Sequence, residues 1–346
     1  MIKFSGSHQD FGIIHGQYLR AAHHNFYTRY NPATLRRQLS IYQKFYPELI
    51  LEITSAAKVI DLDPNLLLYE DIASFVDNQK RRINQRTHGC TIFAVHEKGK
   101  TFVGRNYDWK PAAREFFEQY DLNFTNGYRH FLFSDEGVYG RHLGKNTRKL
   151  YAEDAVNEHG LYVGLTYAHI DKWGYGLSPS HFIRYIAEHC RTTRQALNAF
   201  KRIPCAIPKN FLIADSKGDL AVVEHAAKKI AILRPDEWGT ARPSSSQPSA
   251  PKLIVQTNHC LAPSLKPLDR VTRDNPTANT FLRYEEARHL VEIQLPGFQF
   301  TDIWRILRRS HYVYSDETIW SLALELSEPR LNLYYDTALG QKQEKF

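Results

Sequence analysis

No run of apolar residues approaches the roughly 18 that a membrane-spanning helix needs, and the mean hydropathy is −0.48. Residues 1–7 hold no apolar segment of the kind a signal peptide uses, so a cytoplasmic, membrane-free protein is expected. Cysteine is scarce. Cys90, Cys190, Cys205 and Cys260 include no CxxC pair, which excludes a disulfide framework and fits a reducing compartment. The 16 histidines include no HExxH, and neither His23-His24 nor Glu188-His189-Cys190 has zinc-site spacing, so no metal is expected. GxSxG and GxGxxG are also missing, which removes support for serine-elbow hydrolases and dinucleotide folds. Gly99-Lys100-Thr101 imitates the end of a phosphate loop, but Ala94 stands where the first glycine belongs and no helix follows. Basic residues exceed acidic ones by 45 to 37, yet they are scattered. The densest groups, Lys80-Arg81-Arg82 and Arg308-Arg309, are too short for a nucleic-acid surface.

What is present is a chain of 346 residues with 42% apolar and 13% aromatic side chains, enough for a large core. The first 89 residues read as helical, with Leu35, Leu39, Tyr42, Phe45, Leu49 and Ile53 at helical spacing across 32–59. At residue 90 the pattern changes. Two β-rich runs, 91–95 and 101–104, flank a Gly99 turn and read as a hairpin. Further strands are predicted at 131–133, 161–167, 210–214, 220–224, 230–233 and 253–256, and helices at 179–188, 193–200, 278–292 and 302–308. Residues 240–251, rich in Ser and Pro, read as a mobile surface loop within one sheet system. This order fits helices packed on antiparallel sheets better than regular βαβ winding.

The informative block is His88-Gly89-Cys90-Thr91 followed by Gly104-Arg105-Asn106-Tyr107-Asp108-Trp109. A strand-leading cysteine after a glycine is a place to expose a new N-terminal thiol by chain cleavage. Arg105 and Asp108 lie on the return strand about as far from the turn as Cys90, which places them beside it. The plain alternative is a structural cysteine with a surface Arg and Asp.

With four further segments the block resembles the N-terminal-nucleophile amide hydrolases of the family that contains acyl-coenzyme A:isopenicillin N acyltransferase. Choloylglycine hydrolases and penicillin V acylases are its more distant relatives. Besides Gly89-Cys90-Thr91 and 104–109, the segments are Phe11-Gly12-Ile13-Ile14-His15-Gly16, Asn157-Glu158-His159-Gly160-Leu161 with Gly164-Leu165-Thr166-Tyr167, Thr257-Asn258-His259 and Arg283-Tyr284. Thr166 stands where choloylglycine-type relatives carry asparagine, and Leu282 where a small hydroxyl residue is expected.

The resemblance implies an α+β fold, a four-layer αββα sandwich with two antiparallel sheets between helical layers. It implies cleavage between Gly89 and Cys90, residues 1–89 remaining packed on the 90–346 core. Cys90 would be the nucleophile, Arg105 and Asp108 would position its thiol and α-amine, Asn258 would donate to the oxyanion and Arg283 would complete the polar site. Thr166, Tyr107 and Asn157 are the candidates for oxyanion support or substrate contact. The expected reaction opens a linear amide of a small molecule or short acylated peptide through a Cys90 thioester, without a cofactor. Water, a second amine or an acyl-coenzyme A would be the acyl partner. The alternative is a non-catalytic relative that binds an acylated ligand with its chain uncut. Without the resemblance, Asn258 reads equally as a turn cap and Arg283 as a surface partner of Glu286.

Overall fold

The structure, a computed structural model, describes residues 2–21, 26–78, 89–135, 151–171, 173–235, 250–274, 279–310, 312–327, 332–337 and 340–345. Strands are numbered in chain order. Eight form one sheet in the order β1 (Ile2–Gly6), β4 (Glu118–Phe124), β5 (His130–Ser134), β6 (Asp154–Asn157), β7 (Tyr162–Tyr167), β8 (Lys209–Ala214), β9 (Leu220–Ala226) and β10 (Lys229–Leu233). Six form the other: β11 (Lys252–Gln256), β2 (Cys90–Glu97), β3 (Lys100–Asp108), β12 (Thr318–Leu326), β13 (Asn332–Thr337) and β14 (Gly340–Lys345). The hairpin of β2 and β3 turns through Lys98 and Gly99 at φ 50° and 77°, the paired positive φ of a two-residue turn.

Two sequence expectations are corrected here. Ile2–Gly6 is a strand and not part of a helical segment. Its period of two puts Ile2 and Phe4 half-buried and Lys3 and Ser5 in solvent, and it joins β4 as the one parallel strand pair among the described residues. The helix read over 32–59 is two, Pro32–Phe45 and Pro47–Val59, because Pro47 has no N–H to continue the first. The predicted loop at 240–251 lies outside the described residues except for its last two.

Alternation along the strands builds the layers. Ile92, Ala94 and Val103 meet Phe131, Val156 and Leu212 of the facing sheet in a core between the sheets. Phe93, Val95 and Val255, one residue out of step, pack on Val291 and Ile303 of the helices Asn279–Glu292 and Phe300–Arg309. On the far side, Leu122, Val163 and Phe211 pack on the helices of the first 78 residues and on Pro179–His189. Four layers thus enclose three cores, and most strands are apolar on both faces for that reason. No described helix is long and apolar enough to cross a membrane.

The 11–16 segment has a packing role. Gly12 and Gly16 lie on the helix His8–Ala21 against the backbone of Pro47–Val59; a Cβ on Gly12 would sit 2.2 Å from the Glu52 carbonyl oxygen. Any larger residue would push the two helices apart.

Candidate active site

Cys90 opens β2 directly opposite Tyr107, and Ile92 lies opposite Arg105. Side chains alternate, so Cys90, Arg105 and Tyr107 share the face turned to the other sheet. Asn106 takes the opposite face, where its amide donates to the carbonyls of Leu307 and Val313 and its oxygen accepts from Ser321. Cys90 and Arg105 are buried, with Arg105 Nη2 3.9 Å from Cys90 Sγ. Arg105 is held from behind by Asp154, whose Oδ2 lies 2.6 Å from Nε and which also accepts from Tyr162 and Trp320. Burial disfavours the guanidinium charge, but Asp154 together with Cys90, Tyr162 and Glu153 outweighs it, so Arg105 stays cationic beside the thiol.

The other side of Cys90 is assembled from distant elements. Asn258, just past β11, accepts the Cys90 N–H on Oδ1 at 2.7 Å. Arg283, on the helix Asn279–Glu292, donates through Nη2 to the same oxygen at 2.8 Å and through Nη1 to the Cys90 carbonyl and Thr91 Oγ1. Arg283 is therefore buried in the site and not a surface partner of Glu286. One turn away on its helix, Thr280 accepts the Asn258 N–H at 2.8 Å, supplying a hydroxyl that Leu282, exposed, does not. Asn258 Nδ2, the donor that the resemblance assigns to an oxyanion, contacts the Tyr167 carbonyl at 3.3 Å.

Asp108 ends β3. Its backbone N–H donates to the Gly89 carbonyl oxygen at 2.9 Å, and its carboxylate accepts from Thr318 at 2.7 Å. Gly89 has no room for a side chain: a Cβ there would stand 2.9 Å from Arg283 Cζ and 3.0 Å from Asp108 Oδ2. Burial pushes the Asp108 carboxyl up to about 6 even though Arg283, Thr318 and Arg105 favour its charge. Burial likewise raises the Cys90 thiol, against Arg105, so with the chain intact the thiol is protonated near neutrality. Cys190, Cys205 and Cys260 are buried free thiols, each raised by burial, and none touches this cluster.

Cys90, Arg105, Asp108, Asn258 and Arg283 thus surround one peptide bond. The three supporting candidates separate. Tyr107 lines the cavity beside Cys90 and donates to Asp135 at 2.5 Å. Thr166 spends its hydroxyl on the Thr257 carbonyl at 2.5 Å, fixing the strand end that carries Asn258. Asn157 is not brought to the cavity: its amide donates to the carbonyls of Ala187 and Cys190 and accepts from the N–H groups of His159 and Leu161, which makes it the lock of its own turn. Asp154, Thr280 and Thr318 escaped the sequence reading. For Thr280 the i, i+3 spacing to Arg283 was the available signal; Asp154 and Thr318 act across strands and left none. Among the described residues no cluster of His, Cys, Asp and Glu is arranged to hold a metal ion.

No curated protein matches the chain. Among solved structures, the Caenorhabditis elegans N-acylethanolamine-hydrolyzing acid amidase ortholog superposes with a TM-score of 0.50 at 15% identity, over 74% of this chain and 99% of that one, which shows the fold. The penicillin V acylase of Agrobacterium tumefaciens gives 0.47 at 16% identity, over 74% of this chain and 86% of that one. A mutant conjugated bile acid hydrolase of Clostridium perfringens gives 0.48 at 12%, over 74% and 92%. The family model described as acyl-coenzyme A:6-aminopenicillanic acid acyl-transferase matches residues 95–338, beginning just past Cys90. With that match spanning well over half of its length, the chain belongs to the acyl-coenzyme A:6-aminopenicillanic acid acyl-transferase family.

Proposed function

We propose that the chain cuts itself between Gly89 and Cys90, and that the new N-terminal Cys90 then opens a linear amide through an acyl-thioester. The observation that carries this reading is the Gly89–Cys90 peptide bond held on both sides: its oxygen by the Asp108 N–H and its nitrogen by Asn258. In the first reaction Cys90 Sγ attacks the Gly89 carbonyl carbon. The S–C bond forms, the C–N bond breaks, and the thiol proton passes to the departing nitrogen, which becomes the α-amine of Cys90. Water then hydrolyses the thioester. The oxyanion of this step forms where the Asp108 N–H already points.

In turnover the free α-amine, whose ordinary pKa is near 8, takes the proton of the Cys90 thiol. Asn258 Oδ1 and Asp108 hold that amine, Arg105 favours the thiolate, and Asn258 Nδ2 donates to the oxyanion of the substrate. The amine half leaves with the proton, and water or a second amine resolves the thioester. Hydrolysis and acyl transfer share every step but the last.

Intact mass measurement tests the reading. Wild-type protein should resolve into chains 1–89 and 90–346, and Cys90→Ala should stay whole. A wild-type chain that remains uncut on prolonged incubation, with Cys90 unreactive, overturns it.

A further inference from the structure

The cavity beside Cys90 encloses about 120 Å³ and carries charges that amide opening does not require. Asp135 and Glu153 lie at the adjoining ends of β5 and β6, where the Glu153 N–H donates to the Phe133 carbonyl, and both line the cavity. Asp135 is 2% exposed. Its Oδ2 accepts from Tyr107, and its Oδ1, wholly buried, has no hydrogen-bond partner among the described residues. A buried carboxylate oxygen without a donor is costly, so this carboxyl gains from a positive group brought to the cavity beside it.

The balance of charge points the same way. Glu70, Asp108, Asp135 and Glu153 line the cavity, and among its described lining residues Lys209 is the one basic side chain. Burial raises the carboxyls of both Asp135 and Glu153, and Asp135 raises Glu153 further, while Lys209 and Arg105 favour the ionised form of each. Arg105 is already matched by Asp154, so Lys209 alone is left to two buried carboxylates, and a further cation beside them would complete the match. Much of the remaining wall is aromatic, Trp109, Tyr151, Tyr167 and Trp173 among it, and Lys209 Nζ already lies 4.3 Å from the Tyr167 ring centre. Aromatic faces beside carboxylates are a chemistry for organic ammonium groups.

We infer that this cavity takes a ligand bearing an ammonium group, seated against Asp135 and Glu153; it is the amide substrate, a clause that rests on the function proposed above. The group pairs with these two carboxyls across the cavity wall and displaces the proton that the pair otherwise retains. Substrates with a plain hydrocarbon or anionic group at this position leave the pair unmatched.

Ligand-observed NMR titration with butylammonium, butanol and butyrate reads the site directly. Butylammonium should bind wild-type protein about tenfold or more tighter than either analogue. Glu153→Gln and Asp135→Asn should each remove most of that preference. Equal binding of the three, absence of butylammonium binding, or a preference unchanged in both variants overturns the inference. The wild-type comparison needs no variant, so a misfolded Asp135→Asn leaves the test intact. Cys90→Ala separates the two readings: it should keep the butylammonium preference while losing amide opening. Protein that prefers butylammonium but opens no amide defeats the enzymatic reading alone. Protein that opens amides without the preference defeats the cation site alone.

Discussion

The backbone N–H of Asp108 donates to the carbonyl oxygen of Gly89 at 2.9 Å, so the group that Cys90 would attack in the proposed self-cleavage is already polarised. The bond comes from hairpin geometry, since Tyr107, the neighbour of Asp108, pairs directly with Cys90. Strand pairing alone thus brings a donor to the position where the oxyanion of the proposed cleavage would develop.

The first prediction concerns the absent side chain at Gly89. A Cβ there would enter the space between Arg283 and Asp108. Gly89→Val should slow self-cleavage by about 10²-fold, the scale of an ångström-sized misplacement of reacting groups, and Gly89→Ala should slow it less. A time course of intact mass measures both rates. Cleavage of Gly89→Val at the wild-type rate would show that the Arg283–Asp108 alignment does not matter.

The second follows from the Asp108 carboxyl, which burial lifts to about 6 against Arg283, Thr318 and Arg105. If Asp108 works as the carboxylate, the protonated form below that value is inactive. Cleavage should then rise about tenfold per pH unit up to near 6 and level off above it. The Thr318 hydroxyl favours the ionised form, so Thr318→Val should move the midpoint upward. A profile that is flat in wild type, or unmoved in Thr318→Val, contradicts this role for Asp108.

Legibility in the sequence followed the range of the interactions. The hairpin was readable because alternation and a Lys98-Gly99 turn are local. Arg105 and Asp108 were readable as neighbours of Cys90 because a hairpin converts sequence distance into register. Asn258 and Arg283 entered through the family resemblance alone, for they reach Cys90 from another strand end and a helix. Asp154 was invisible because its pairing with Arg105 crosses from one sheet to the other. The strand at Ile2–Gly6 was missed because five residues of weak alternation precede a long helix, and its partner lies beyond residue 117. Asn157 shows the converse: a turn residue in a family-like segment that the fold uses entirely for itself.

The third prediction separates the two ends of the Asn258 amide. Its oxygen receives the Cys90 N–H, whereas its nitrogen is the donor proposed for the substrate oxyanion. Asn258→Asp keeps an acceptor and loses the donor. Self-cleavage, whose oxyanion faces the Asp108 N–H, should continue, while turnover should fall by about 10²- to 10³-fold with little change in KM. Thr166→Ala, which only loosens the adjoining strand end, should cost less. Normal turnover by Asn258→Asp would remove its nitrogen from the mechanism.

The last prediction concerns what would keep residues 1–89 on the core after the proposed cleavage. Arg184, on the helix Pro179–His189, donates to both oxygens of Glu52 at 2.9 and 2.6 Å and to Glu188 at 2.7 Å. His8 lies between the same two carboxylates, 3.2 Å from Glu52 and 3.4 Å from Glu188, stacked on Phe124. Arg184 Nη2 also approaches His8 Nδ1, but the two carboxylates outweigh it. Burial disfavours the imidazolium, yet Glu188 and Glu52 raise its pKa to about 9, while Glu52, despite burial, is brought down to about 2 by Arg184 and His8. For a raised group the contribution is complete below the unfolded value of 6.5 and is lost as pH climbs through 9. For the lowered Glu52 it is complete above 4.5 and is lost as pH falls toward 2. The network should therefore hold the two chains most firmly between pH 4.5 and 6.5, and the His8 part, at most about 3 kcal/mol, should fade toward pH 9. Native mass spectrometry and thermal unfolding across this range, on the protein as it is isolated, measure the effect. Arg184→Met, which strands two buried carboxylates, should destabilise by about 3 to 5 kcal/mol. His8→Phe should flatten the decline above pH 6.5, and a decline that persists unchanged in that variant would place its origin elsewhere.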